Sequence, residues 1–220
     1  MNCKRLVIIG AGGHAREVRW LAQVLSEHSG TPDSYEFVGY VVSDTGRTSP
    51  HDSAEEIIGD TAWLSANRDA FDCLALGIGY AAPRLKVADE LEPHFGPKYW
   101  PALIHPNADF DRQTARIGHG VCIFAHVAGT VNLAFGAYSV VNYGCTIGHE
   151  TEIGRASSLN PGANLSGGVK LGQGVLVGTG AQILQYLEVG DHSIVGAGAV
   201  VTKSLPGGVT AVGMPAKVRT

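Results

Sequence analysis

From Ile117 to Val201 an apolar position returns every six residues with no insertion. The series is Ile117, Ile123, Gly129, Phe135, Val141, Ile147, Ile153, Leu159, Leu165, Leu171, Val177, Ile183, Val189, Val195 and Val201, and only Gly129 departs from it. Glycine follows directly at Gly118, Gly136, Gly148, Gly154, Gly172, Gly178, Gly190 and Gly196. The fifth residue of each hexad is mostly small or aliphatic, as at Val121, Val127, Cys145, Ala163, Val169, Val175, Ala181 and Ala199. An α-helix cannot use a period of six, because 3.6 residues per turn would spread these side chains around its surface. A β-solenoid can, with each hexad forming one short flat side whose apolar residue points inward. Three sides close one coil, so positions eighteen apart stack, and five coils stand roughly 24 Å tall at the usual strand spacing.

The N-terminal part follows a different pattern, alternating strand and helix. Arg5 to Ile9 reads as a buried strand, and Gly10-Ala11-Gly12-Gly13-His14-Ala15 opens a helix through Trp20, Leu21 and Leu25. Phe37 to Val42 and Cys73 to Ile78 read as further strands; a second helix runs through Leu85, Ala88 and Leu91. The polar stretch Gly46 to Asp52 reads as a surface loop. Tyr99 to Ile104 leads into His105-Pro106, where the six-residue register begins after one slip. Two domains are expected, an α/β Rossmann-like domain over 1–103 and a solenoid over 104–220.

Composition narrows the partners. A net charge of −4 with dispersed basic residues offers no basic surface for nucleic acid or an anionic membrane. No apolar run approaches the roughly 20 residues of a membrane span, and the N-terminus lacks the order of a signal peptide. Cys3, Cys73, Cys122 and Cys145 form no CxxC pair, which fits reduced thiols and a cytoplasmic location.

Two places carry candidate chemistry. The first is the glycine turn, a G-x-G-x-x-A match at Gly10, Gly12 and Ala15, whose amides and helix N-terminus suit a phosphate group. The acidic partner of a dinucleotide site is out of place, since Asp44 lies late, at the end of the second strand. A tight strand–helix turn without ligand is the plainer alternative.

The second is the column at His149. Eighteen-residue stacking sets His149 beneath Val131 and above Gly167, with Glu150 above Gly168 and Gln185-Tyr186 one coil below. A histidine with an adjacent carboxylate thus overhangs two residues without side chains. Neutral imidazole is the usual general base for an amine or hydroxyl, and a backbone N–H one rung away suits the oxyanion of a thioester's tetrahedral intermediate. An ordinary exposed polar residue is the alternative at this position. His119 and His126 lack the glycine slot and read as structural; His105 marks the domain junction.

Together the motifs Ile9–Ala15, Ile104-His105-Pro106, Ile147-Gly148-His149-Glu150, Pro161-Gly162-Ala163 with Leu165-Ser166-Gly167, and Val212–Lys217 resemble the NeuD/PglD family of sugar O- and N-acetyltransferases across nearly the whole chain. The resemblance implies that the solenoid is a left-handed β-helix and that the chain forms a homotrimer holding acetyl-CoA between neighbouring helices. It implies a nucleotide-sugar on the N-terminal domain near Gly10, Gly12, Gly13, His14 and Asp44. His149 is implied as the catalytic base, Glu150 as its orienting carboxylate and Gly167 as the amide that meets the thioester. Gly213, Pro215 and Lys217 are implied at the far end of acetyl-CoA. One departure stands out: the family often has a histidine against acetyl-CoA nine residues after the first, and here that place holds Ser158.

The leading expectation is N-acetylation of a UDP-linked amino-sugar, with O-acetylation of a sialic acid or another sugar hydroxyl as rival. A γ-type carbonic anhydrase needs three zinc-binding histidines, and His119, His126 and His149 have the wrong spacing; no metal is expected. A non-catalytic sugar-nucleotide binder is the remaining alternative. Small residues at Ala125, Ala128, Ser139 and Ser157 are expected on the faces that approach a second helix.

Overall fold

The computed structural model describes residues 2–28, 30, 33–43 and 50–219. Its first half is a parallel sheet of β1 (Asn2–Ile9), β2 (Asp33–Val41), β3 (Ile57–Gly59) and β4 (Cys73–Leu76), in the order β3-β2-β1-β4. Leu6 to Ile9 are essentially inaccessible, as a strand covered on both faces requires. Helix α1 (Gly13–Glu27) follows β1, α2 (Thr61–Ala66) lies between β3 and β4, and α3 (Ala81–Leu91) follows β4. In α1 the buried residues are Ala15, Val18, Leu21, Ala22 and Leu25, the three-and-four spacing of one apolar stripe. Short α2 and β3 were not legible from the residue pattern; α2 starts because Asp60 accepts hydrogen bonds from the amides of Ala62 and Trp63, an N-cap.

The chain leaves β1 toward β2 on one side and returns to β4 on the other. In open α/β sheets such a switch point opens a crevice at the carboxyl ends of the strands. Here the turn after β1 and the turn after β4 form its two lips.

The second half is a left-handed parallel β-helix. Fifteen strands of two residues each run from Arg116–Ile117 to Val200–Val201, and every one ends on a residue of the six-residue series. They form three parallel faces in eighteen-residue register. Face one carries Cys122–Ile123, Val140–Val141, Ser158–Leu159, Leu176–Val177 and Ile194–Val195. Face two carries Ala128–Gly129, Thr146–Ile147, Asn164–Leu165, Gln182–Ile183 and Val200–Val201. Face three carries Arg116–Ile117 through Glu188–Val189. Leu103–Ile104 extends face one at the top, paired nineteen residues ahead with Cys122–Ile123. The extra residue is absorbed after Phe110, where Asp111 accepts from Gln113 N and Thr114 Oγ1. Gly129 breaks the apolar series because Phe110 and Leu133 already fill its interior place: a β-carbon there would meet them at 2.9 and 2.7 Å.

The N-terminal domain sits on face one. Leu6, Ile8, Val18 and Leu21 join Leu103, Cys122, Phe124 and Val140 in one buried cluster. At the edge, Arg155 pairs with Asp89 and Glu92, and His119 with Glu92 at 2.7 Å.

The expected helix-approach surface needs correction. Ser139 and Ser157 are fully buried, because they occupy the fifth place of their hexads and point into the coil. Ser157 Oγ there donates to Gly172 O and accepts from Val175 N. Ala125 is also buried, and of the four only Ala128 is exposed.

Candidate active site

His149 and Glu150 occupy the corner between faces two and three, just after the strand Thr146–Ile147. Both are at least half exposed, and Nδ1 of His149 lies 3.7 Å from Oε2 of Glu150. That exceeds a hydrogen bond and leaves the two groups an ion-pair distance apart when the imidazole is protonated. Glu150 reaches this place through a left-handed backbone, φ +60, which a residue with a β-carbon adopts only at some cost.

The glycine pair below shapes the rest. A β-carbon on Gly167 would stand 2.4 Å from His149 Nε2, and one on Gly168 would stand 2.3 Å from Tyr186 Cδ1. The imidazole therefore folds down over Gly167 while the Tyr186 ring folds up over Gly168. The two rings meet edge to face, 6.3 Å apart. Gly168 N–H donates to His149 O at 2.7 Å, whereas the N–H of Gly167 has no acceptor among the described residues. Nε2, a free amide and an aromatic wall are thus collected around one slot. Val131, Leu184 and Tyr186 leave large apolar surface beside it, at 44, 41 and 67% exposure.

Gly213, Pro215 and Lys217 lie beyond the last coil. Gly213 O accepts from Val200 N and Ala216 N donates to Val200 O, so this turn continues face two. It stands four rungs from Thr146, roughly 19 Å at the strand spacing. Lys217 is exposed on a short antiparallel strand paired with Val212.

Ser158 does not join this group. It lies on face one, 1% exposed, and its hydroxyl accepts from Arg84 Nη2. The expected contact with acetyl-CoA is replaced by a contact across the domain junction, because face one at this level is covered by α3.

The glycine turn forms the other cluster. Gly10 and Gly12 have φ near +105, and at Gly12 and Gly13 a β-carbon would meet nothing within 4 Å, so open space lies above the start of α1. His14 places Nδ1 3.0 Å from Glu17 Oε2, while its Nε2 is buried without a partner. Its ring packs 5.8 Å from Phe124, at the corner between faces one and two. Asp44 lies outside the described residues. Facing this turn is one that sequence reasoning noted only as a strand end. The β-position of Gly10 meets Gly77 O at 3.0 Å, and that of Gly79 meets His14 Cβ at 3.4 Å. Tyr80, 74% exposed, follows immediately. The glycines at 77 and 79 were the available signal, but only the sheet order shows that they close the crevice.

The two clusters occupy opposite corners of face two, separated by one six-residue side, roughly 15–20 Å of chain. Among the described residues no three His, Cys, Asp or Glu side chains converge as metal ligands, and no helix is long and apolar enough to cross a membrane.

Two family models match separate stretches of the chain. The PglD N-terminal domain model matches residues 5–91, and the bacterial transferase hexapeptide (six repeats) model matches residues 168–203. Among solved structures, PerB from Caulobacter crescentus, in complex with CoA and GDP-perosamine, is 30% identical with a TM-score of 0.84, covering 98% of this chain and 97% of that one. The acetyltransferase domain of PglB from Neisseria gonorrhoeae, in complex with acetyl coenzyme A, is 28% identical with a TM-score of 0.83, covering 99% and 100%. WeeI from Acinetobacter baumannii is 25% identical with a TM-score of 0.62, covering 99% and 100%. A sequence search of curated proteins found no match.

Proposed function

The chain belongs to the NeuD/PglD family of hexapeptide-repeat sugar acetyltransferases, and from that premise we propose that it transfers the acetyl group of acetyl-CoA to the amine of a UDP-linked amino-sugar, with His149 as general base. The observation that carries this reading is the slot at His149: Nε2 poised over Gly167 and an amide there with no acceptor.

The chemistry follows from those atoms. Glu150 favours the tautomer with hydrogen on Nδ1, leaving Nε2 with its lone pair. As the amine nitrogen attacks the thioester carbon, Nε2 takes the amine proton. The carbonyl oxygen, gaining charge, accepts a hydrogen bond from Gly167 N–H. Collapse of the tetrahedral intermediate breaks the carbon–sulfur bond, and the imidazolium returns the proton to the departing thiolate. Acetyl-CoA lies along face two in this reading, its thioester near Gly167 and its nucleotide end near Gly213, Pro215 and Lys217.

The nucleotide-sugar lies in the crevice between the two lips, its phosphates against the amides of Gly12 and Gly13. Because that crevice and His149 stand at opposite corners of face two, a homotrimer is part of the proposal. One chain's His149 corner meets the glycine-turn corner of the next, and Val131, Leu184 and Tyr186 are covered. Cys3, Cys73, Cys122 and Cys145 form no disulfide, in keeping with a cytoplasmic enzyme.

The test is release of free CoA from acetyl-CoA, measured against amino-sugars each linked to UDP and, because the Caulobacter relative holds a GDP-sugar, to GDP. Turnover with a UDP-linked amine is expected. Turnover only with free sugars or with hydroxyl acceptors would overturn the proposal.

A further inference from the structure

Arg84, on α3, is fully buried. Its Nε donates to Tyr138 O at 3.0 Å, and its Nη2 to Ala156 O at 2.9 Å, Ser157 O at 3.2 Å and Ser158 Oγ. These acceptors all belong to the β-helix. Its Nη1 instead donates to Ile78 O at 2.7 Å and Gly79 O at 3.0 Å, in the second lip of the crevice. No carboxylate is among its partners. Burial lowers its pKa to about 10, so the guanidinium remains a cation at neutral pH. A buried cation with only neutral partners is costly, and its persistence calls for a compensating use.

The peptide geometry supplies one. In a trans peptide the C=O and the following N–H point in opposite directions, and the one cis bond among the described residues is Met214–Pro215. With Ile78 O and Gly79 O drawn to the guanidinium, the N–H groups of Gly79 and Tyr80 point away from it. Neither has an acceptor among the described residues. Charge-assisted bonds to the carbonyls also polarise these peptide groups and make their N–H ends better donors. Gly79 is the residue whose β-position lies against His14, on the crevice side.

We propose that Arg84 is a positioning residue for the nucleotide-sugar: it ties the Ile78–Gly79 lip to the β-helix so that the amides of Gly79 and Tyr80 receive diphosphate oxygens opposite those of Gly12 and Gly13. The inference rests on the nucleotide-sugar reading of the crevice. Arg84 touches no ligand; it acts through the two peptide groups, and its charge stands behind them.

Calorimetric binding of UDP and GDP to the full-length protein tests this without requiring acetyl transfer. Arg84→Lys keeps a charge but cannot span both sets of carbonyls. It should weaken nucleotide affinity and raise the nucleotide-sugar KM by about tenfold or more, with the acetyl-CoA KM within about twofold, as expected when charge-assisted bonds are lost on one side only. A double variant, Asp89→Asn with Glu92→Gln, loosens the same domain junction without touching the lip and should bind nucleotide as the parent does. Parent-like affinity in Arg84→Lys, or an equal loss in the double variant, overturns the role of Arg84 alone. Failure of the parent to bind either nucleotide overturns the crevice reading with it. Nucleotide binding without any acetyl transfer counts against the proposed reaction and leaves the Arg84 comparison valid. Should Arg84→Lys fail to fold, hydrogen–deuterium exchange of the parent decides: UDP or GDP should slow exchange across residues 77–82, and unchanged exchange there overturns the proposal.

Discussion

The imidazole of His149 lies so close over Gly167 that a β-carbon on the glycine would stand 2.4 Å from Nε2. No small adjustment of the coil relieves this, since Gly167 is tied below through its carbonyl to Tyr186 N at 2.9 Å. Gly167→Ala should therefore swing the ring out of the slot while leaving the coil folded. The expected loss is about 10²-fold or more in kcat, the scale of a misplaced base or a blocked oxyanion donor. Steady-state kinetics with circular dichroism as a folding control checks it; a fully active Gly167→Ala variant would place the chemistry elsewhere.

His149→Ala should lower kcat by about 10²–10⁴, the span for losing a general base, with little change in stability because the side chain is half exposed. Glu150→Ala should cost less, since the carboxylate only supports the imidazole. An amine acceptor deprotonates unaided as the pH rises, so His149→Ala should regain part of its rate at alkaline pH. A hydroxyl acceptor would show no such recovery. The pH–rate profile of the variant therefore reads both the base and the acceptor class.

Much of this site could be found by adding eighteen to a residue number. The register that sets His149 over Gly167, and Tyr186 beneath Gly168, is local and repeated, so no knowledge of tertiary packing was needed. Arg84 was not legible in the same way. It stands between Pro83 and Leu85 on a short helix, and nothing in its neighbours distinguishes an arginine that reaches solvent from one that gathers six acceptors across a domain junction. Ser158 misled for the same reason: its alignment with a family histidine says nothing of the helix that covers it. Ser139 and Ser157 show the opposite failing, because their place in the hexad already pointed inward, and their polarity alone suggested a surface.

Thiol reactivity should divide the cysteines sharply. Burial raises the Cys122 thiol from 9.0 to about 12 and the Cys145 thiol to about 11, so at pH 9 both remain protonated in the folded chain. In the unfolded chain about half of such thiols would be thiolate at that pH. The folded state thus holds more protons between pH 9 and the raised values, and these groups make stability fall as the pH rises through that window. Iodoacetamide at pH 9 should label exposed Cys3 and spare Cys73, Cys122 and Cys145 until denaturant is added. Labelling of Cys122 in the native protein, read by mass spectrometry, would contradict its placement under the N-terminal domain.

Light scattering should give three times the 23.0 kDa chain mass. Introducing a charge at Leu184, 41% exposed beside His149, should reduce the mass toward that of one chain, because a buried unpaired charge is expensive at an interface. Activity should fall in parallel as one chain's His149 corner parts from the glycine-turn corner of the next. A fully active monomer would show that one chain completes the site by itself.

The three-sided coil makes sequence distance behave like an angle. Inserting or deleting eighteen residues lengthens or shortens the stack by one storey and leaves every later residue on its own face. Six residues do something else: they rotate all that follows by a third of a turn. One added hexad between Phe135 and Val141 would carry His149, together with Gly167 and Tyr186, to another edge of the prism and away from Val131. Length changes that preserve function in such a chain should therefore come in whole storeys, and the distance in sequence between Phe124, against which His14 of the glycine turn packs, and His149 is as much a part of the proposed catalytic apparatus as the imidazole itself.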